Sequence, residues 1–224
     1  MTDLHFALIR EGTSDEGLIA HIRTLLIRAG ISSVVGAARP YKGTTKERIA
    51  TVLAESSAPD LIFVHRDADA RDPSPRHQEI SAAAEDLGCA ESVIAVVPVQ
   101  ELEAWLLTDE AAIREVAGKP RGRTTLNLPG VGRVETTSSP KEVLQTLCLI
   151  ASETSGARRK KAAAAFNAHR ATLLDRLDVD GAVSGLPSWQ RFVSDLNAAA
   201  ARMLAVAVTD AATTTGEFAA EAEP

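Results

Sequence analysis

The chain has 224 residues, enough for one domain with a substantial core, and with 45% apolar but only 4% aromatic residues that core must be aliphatic and alanine-rich. No apolar run is long enough to cross a bilayer and no signal peptide precedes the first apolar segment, so the expectation is a soluble, cytoplasmic protein. Cys89 and Cys148 lack CxxC spacing, which excludes a zinc ribbon and argues against a disulfide framework; the net charge of −6 falls to −2 without the four carboxylates of 207–224, so global charge says little about nucleic acid.

In chain order, Leu4 to Ile9 reads as a buried strand that runs straight into an acid, Glu11, followed by Gly12. Thr13-x-x-Glu16 has the form of a capping box, and Leu18, Ile22, Leu25 and Leu26 then recur at helical spacing until Gly30. "SSVVGAA" is a short second strand. Thr44-x-x-Glu47 opens another helix, with Ile49, Val52 and Leu53 on one face. "LIFVH", Leu61 to His65, is a third strand, and it too ends at acids, in "RDADARD". Ser74 with Pro75 starts a helix that ends near Gly88, and "VIAVVPV", from Val93, is a fourth strand whose regular part Pro98 closes. Strands alternating with helices, each strand apolar almost throughout, predict an α/β fold: a mainly parallel four-stranded sheet with helices on both faces.

Beyond "QELEAWLLTDE" the pattern becomes helical, with helices expected over 109–117, 140–151, 158–177 and 188–206 and a turn-rich stretch over 118–139. Ser139-x-x-Glu142 with Pro140 marks one start. This divides the chain into an α/β core (1–108), a helical extension packed on it (109–206) and an acidic tail (207–224) with little to pack, expected to be disordered.

In open α/β sheets, ligands bind beyond the carboxyl ends of the strands. Glu11 follows strand one there, Asp67 and Asp69 follow strand three, and Glu101 and Glu103 follow strand four. Clustered carboxylates repel unless protons or metal neutralise them, and an all-oxygen set suits Mg²⁺ or Mn²⁺. Each acid also has a plainer reading. A Glu-Gly after a strand is often a solvated turn, loops are rich in Asp, and Glu101 and Glu103 can be exposed helix positions. Asp15 and Glu16 suit a helix N-terminus, and His65 suits packing at a strand end. It is the coincidence at three strand ends that favours a site.

Several acid-bearing folds are excluded by position. A haloacid-type phosphatase needs DxD after strand one, a receiver domain needs an acidic pair there, and neither GxGxxG nor GxxxxGK[ST] occurs. "LIREGTSDE" and "FVHRDAD" instead resemble the two motifs of the Toprim domain, a Glu after strand one and a DxD after strand three. "VVPVQELEAWLLTD" and "SSPKEVL" resemble segments of a bacterial Toprim-like family, domain of unknown function 4276, over roughly residues 1–150. Among Toprim proteins the chain is too short for a topoisomerase and lacks a primase's zinc ribbon, so the nucleases of the overcoming-lysogenization-defect type are nearest.

That resemblance implies a Toprim-like core and metal-assisted phosphodiester hydrolysis of nucleic acid, with action beside an ATPase partner in phage defence as a further expectation. Asp67, Asp69 and Glu103 would hold Mg²⁺ or Mn²⁺, with Glu101 as a further ligand and Glu11 as ligand or general base. Arg66 could contact phosphate or simply pair with an acid. The related nucleases often use a lysine at the scissile phosphate, which no motif locates here; Lys42, Lys160 and Lys161 are candidates by charge. Arg158, Arg159, Lys160 and Lys161 form either a phosphate-contacting helix or a solvated basic face. The alternative is a non-catalytic Toprim-fold binding or regulatory subunit.

Overall fold

The computed structural model of the chain describes residues 3–39 and 42–220, with side chains as far as 206. Strands β1 (Leu4–Ile9), β2 (Val34–Arg39), β3 (Leu61–His65) and β4 (Val93–Val96) form one sheet in the order β2-β1-β3-β4, every neighbouring pair parallel. Parallel neighbours need crossovers, supplied by α1 (Leu18–Arg28), α2 (Thr45–Leu53) and α3 (Ser74–Asp86). The architecture is α/β and Rossmann-like, as the element order implies.

Alternation along the strands fills two cores. Phe6, Leu8, Leu61, Phe63, Ile94 and Val96 join a large core with α1 and the later helices. Ala7, Ile9, Ile62, Val64 and Val97 join a smaller one with Ile49 and Val52 of α2 and Ile80 and Ala83 of α3. Covered on both faces, the strands carry apolar residues in both parities, which is why they read as unbroken apolar runs.

After β4 the chain forms α4 (Glu103–Leu106), α5 (Glu110–Val116), α6 (Val131–Val134), α7 (Pro140–Ala151), α8 (Gly156–Ala164), α9 (Phe166–Asp175) and α10 (Pro187–Ala220). These helices dock through aromatic rings. Trp105 and Trp189 meet edge to face at 4.8 Å, Phe192 lies 5.6 Å from Trp189, and Phe63 of the sheet lies 6.3 Å from Phe192. The indole N–H of Trp105 donates to Ser188 Oγ at 2.8 Å, so its burial leaves no donor unpaired.

Local chemistry explains where elements begin and end. Thr44 and Glu47 form the expected capping box: the Glu47 N–H reaches Thr44 Oγ1 and the Thr44 N–H reaches Glu47 Oε2. The turn after β1 differs from the expected box at Thr13 and Glu16. A 3-10 turn, Thr13–Asp15, comes first, and Asp15 rather than Glu16 reaches back, accepting the Gly12 N–H at 2.6 Å. Asp72, not Ser74, covers the start of α3 by accepting the Ser74 N–H at 2.9 Å. The single helix expected over 158–177 is two, broken at Ala165. The basic first part, α8, buries nothing, whereas α9 buries Phe166, Arg170, Leu173 and Leu174, so only the second part is bound to follow the core. Two four-residue helices, α4 and α6, are too short for a periodicity to announce them.

The acidic tail expected from 207 falls on residues whose side chains lie outside those described, and 221–224 lie outside altogether. Among the described residues no helix is long and apolar enough to cross a membrane.

Gly36 sits opposite Phe6 in the β1–β2 register, and a Cβ there would stand 2.1 Å from the Phe6 ring. That ring is 2% exposed and packed edge-on against Phe63 at 5.3 Å, so it cannot retreat. Gly36→Ala is expected to destabilise the fold by about 1–3 kcal/mol through overpacking. Urea unfolding measures it; an unchanged midpoint would contradict the packing described.

Candidate functional site

The carboxyl ends of β1 and β3 meet where the strand order reverses direction, the position at which open parallel sheets leave a crevice. Here Glu11 Oε2 accepts the Asp67 N–H at 2.8 Å. Asp67 Oδ1 in turn accepts the Leu102 N–H at 2.8 Å, and Glu101 Oε2 accepts the Lys141 N–H at 3.0 Å at the start of α7. Each acid thus anchors the backbone of the next segment and keeps its second oxygen free of hydrogen bonds from the described residues. Glu11, Asp67, Glu101 and Glu103 line one cavity of about 360 Å³ together with Asp15, Lys141, Asn167 and Arg170.

Behind this cavity lies a buried charge network. The Arg170 guanidinium, from α9, donates through Nε to Glu103 Oε1 at 2.6 Å and through Nη2 to Asp15 Oδ1 at 2.9 Å. Its Nη1 reaches Ser14 Oγ at 2.6 Å. The fork therefore ties α9 to the turn after β1 and to α4. On the other side of Asp15, His65 at the end of β3 holds Nδ1 3.4 Å from Asp15 Oδ2 and Nε2 3.5 Å from Asp67 Oδ1. Both contacts are long for hydrogen bonds, but both carboxylates favour the charged ring, through hydrogen bonding first and Coulombic attraction second. Burial alone would lower the imidazole's pKa from its ordinary 6.5. The two carboxylates outweigh burial and push it up to about 9, so His65 is cationic at neutral pH. Burial alone would raise the pKa of Asp15; His65, the Gly12 N–H and Arg170 outweigh it and hold this carboxyl well below the ordinary 3.8.

Asp69 does not join the cavity. Its backbone is left-handed (φ 52°), and its carboxylate pairs with Arg76 Nη2 at 2.9 Å in a more exposed charge chain. Arg76 also reaches Glu79 at 2.6 Å and, through Nε, the Asp67 carbonyl at 3.1 Å. Arg66 belongs to the same chain: Nη1 donates to Glu79 Oε1 and Thr45 Oγ1, both at 3.0 Å, and Nε lies 3.6 Å from Glu11 Oε1. Thr45 Oγ1–H also donates to Glu79. Of its two readings, Arg66 takes the ion pair. Arg158, Arg159, Lys160 and Lys161 lie exposed on α8 and form no ion pair among the described residues.

The five strand-end acids therefore do not all converge. Glu11, Asp67, Glu101 and Glu103 share a cavity, Asp69 stands apart, and Glu103 is engaged by Arg170. Among the described residues, no three His, Cys, Asp or Glu side chains are placed to hold one metal ion together. Sequence reading did not single out Arg170, a base within the run from Arg158 to Arg176, and gave Asp15 and His65 plainer roles. It also missed Lys141, which lines the cavity from within the "SSPKEVL" segment.

Over residues 10–197 the chain matches the family described as Domain of unknown function (DUF4276). The chain belongs to that family. No curated protein and no solved structure is similar enough to match. The span shared with the family holds every acid lining the cavity and, near its other end, Arg170 of α9, so the elements that build the charge network all fall within it.

Two predictions test this network. Arg170→Met leaves Glu103 buried without its cation and Asp15 with His65 alone, and is expected to cost about 3–5 kcal/mol, part of it recovered when Glu103→Gln is added. Chemical denaturation of the single and double variants measures it; a single variant as stable as the parent would contradict the clamp. The second concerns pH. Because the folded-state pKa of His65 is raised, its contribution is complete below about pH 6.5 and is lost as pH rises through about 9. Asp15, with its folded pKa depressed, contributes above about pH 4, and that part is lost only as pH falls. Thermal stability should therefore decline from neutral to alkaline pH, and Asp15→Asn should move the His65 titration, followed by NMR, to lower pH. A His65 that titrates near 6.5 in the parent would overturn the assignment.

Proposed function

We propose that this chain is a Mg²⁺- or Mn²⁺-dependent enzyme of Toprim type that hydrolyses phosphodiester bonds in nucleic acid. The observation that carries the reading is the cavity where β1 and β3 meet. Its lining holds five carboxylates, Glu11, Asp15, Asp67, Glu101 and Glu103, against two bases, Lys141 and Arg170. With the His65 cation between Asp15 and Asp67 and Arg66 3.6 Å from Glu11 also counted, the negative excess is small; it favours a bound cation, and an all-oxygen donor set suits a hard one.

The donors fit unequally. Glu11, Asp67 and Glu101 each keep an oxygen free of hydrogen bonds from the described residues. No three acids among those residues are placed to hold one ion together, so a cation would be held by one or two of them, with water completing its shell. Glu103 gives one oxygen to Arg170 and would contribute the other, whereas Asp69, paired with Arg76, would not contribute. A bound divalent cation would supply polarisation of the phosphate and a more acidic water. Glu11 is fixed through Oε2 by the Asp67 N–H, and its Oε1, 3.6 Å from Arg66 Nε, would accept a proton from an attacking water. Lys141 places a positive charge beside the cavity for a phosphate, the role for which sequence reading had only Lys42, Lys160 and Lys161. The exposed bases of α8 would draw in the nucleic-acid backbone. Action beside an ATPase partner, in phage defence, extends the same reading, and the free Cys89 and Cys148 suit a reducing cytoplasm.

A second reading, a non-catalytic binding or regulatory subunit, is favoured by the pairing of Asp69 and Glu103 with arginines at 2.9 and 2.6 Å. Cleavage assays on single- and double-stranded DNA and RNA with Mg²⁺ or Mn²⁺, with and without a neighbouring ATPase, separate the two. Glu11→Gln is expected to reduce cleavage by about 100-fold or more while leaving substrate binding intact. Binding without cleavage under every condition would favour the second reading, and equal cleavage by parent and variant would remove Glu11 from the chemistry.

A further inference from the structure

The fourth strand forms an open edge of the sheet, and a second cavity, of about 430 Å³, lies along it between α3 and α10. Two independent features mark it. His77 of α3 is 9% exposed, lines the cavity and makes no side-chain hydrogen bond among the described residues. Its ring nitrogens are not among the buried polar atoms that lack a partner, so they open on the water of this cavity, where a ligand can reach them. The second feature is backbone. The Val96 carbonyl accepts the Arg66 N–H, so Val96 and, by alternation, Ile94 turn their peptide groups toward β3. The N–H and C=O of Ala95 therefore face outward, along this cavity, with no strand beside them among the described residues.

The charged groups around His77 come mainly from α10. Arg191 stands near enough to disfavour protonation, and with burial as the larger cause it holds the imidazole's pKa down at about 4. Arg191 has only a loose pairing, 4.0 Å from Asp195, and is about half exposed. Arg202 is taken up by Glu91 at 2.7 Å. The site thus offers an uncommitted guanidinium, an imidazole without a partner and a free backbone N–H, beside an apolar wall that includes Ile80 and Ile94.

We infer that this edge cavity is a binding site for a small molecule carrying an anionic head group, phosphate or carboxylate, held between His77 and Arg191 with its uncharged body along β4. The volume lies in the range of small-ligand pockets, and charge-assisted bonds to an anion would supply the partners that these groups lack. The site is separate from the strand-end cavity and does not rest on the proposed hydrolysis.

Histidine-labelled full-length protein tests it by NMR near neutral pH, titrated with inorganic phosphate and, separately, acetate, against chloride at matched ionic strength. The His77 signal is identified by its loss in His77→Gln. One of the anions should shift that signal saturably and raise the His77 pKa by about one unit or more. Arg191→Gln, a change at the surface, should weaken the apparent affinity about tenfold, as expected for loss of a charge-assisted bond. Stronger response to phosphate assigns a phosphate-bearing ligand, and stronger response to acetate a carboxylate. No shift beyond the chloride control with either anion, or a shift undiminished in Arg191→Gln, would overturn the inference.

Discussion

The guanidinium of Arg170 takes up two carboxylates that folding has withdrawn from water, Asp15 and Glu103, each only a few per cent exposed. Breaking such an arrangement is expensive because either partner left alone is a buried charge. The constraint reaches beyond stability. Asp15 comes from the turn after β1, Glu103 from the first turn after β4, and Arg170 from a helix far along the chain. The clamp is complete only with α9 docked, so the helical second half holds the turn after β1 and α4 together at the sheet's edge.

From that constraint the charges order themselves in two chains. The inner one runs Glu103, Arg170, Asp15, His65, Asp67, alternating in sign and largely shut off from water. The outer one runs Glu11, Arg66, Glu79, Arg76, Asp69, alternating likewise but partly solvated, so screening leaves each of its links worth less. They are joined where the Asp67 N–H meets Glu11. The two aspartates of "DAD" are divided between them, Asp67 inward and Asp69 outward, because the positive φ at Asp69 takes its side chain away from the crevice.

Much of the fold was legible in the sequence because its signals are local. β1 and β3 were read to the residue, since a strand buried on both faces is an uninterrupted apolar run, and α7 likewise, since Pro140 marks its start. Glu11, Asp67 and Glu101 were legible as site candidates because strand ends on one sheet edge must be neighbours. What escaped was everything set by partners distant in sequence. Arg170 looks like one more base in a basic stretch until Asp15, 155 positions earlier, and Glu103, 67 positions earlier, are brought to it. His65 reads as a packing residue because only the fold sets a carboxylate on each side of its ring. The break at Ala165 has no glycine or proline to announce it; it follows from the demand that α9, and not α8, meet the core.

Under the proposed hydrolysis, the crevice between β1 and β3, and not the "DAD" motif as a unit, would bind the cation. Calorimetric titration of Mn²⁺ into the parent, Asp67→Asn and Asp69→Asn proteins tests it most directly. The account predicts that Asp67→Asn abolishes the binding heat while Asp69→Asn keeps it near the parent's. Loss of binding in Asp69→Asn with retention in Asp67→Asn, or no binding by the parent, would contradict it.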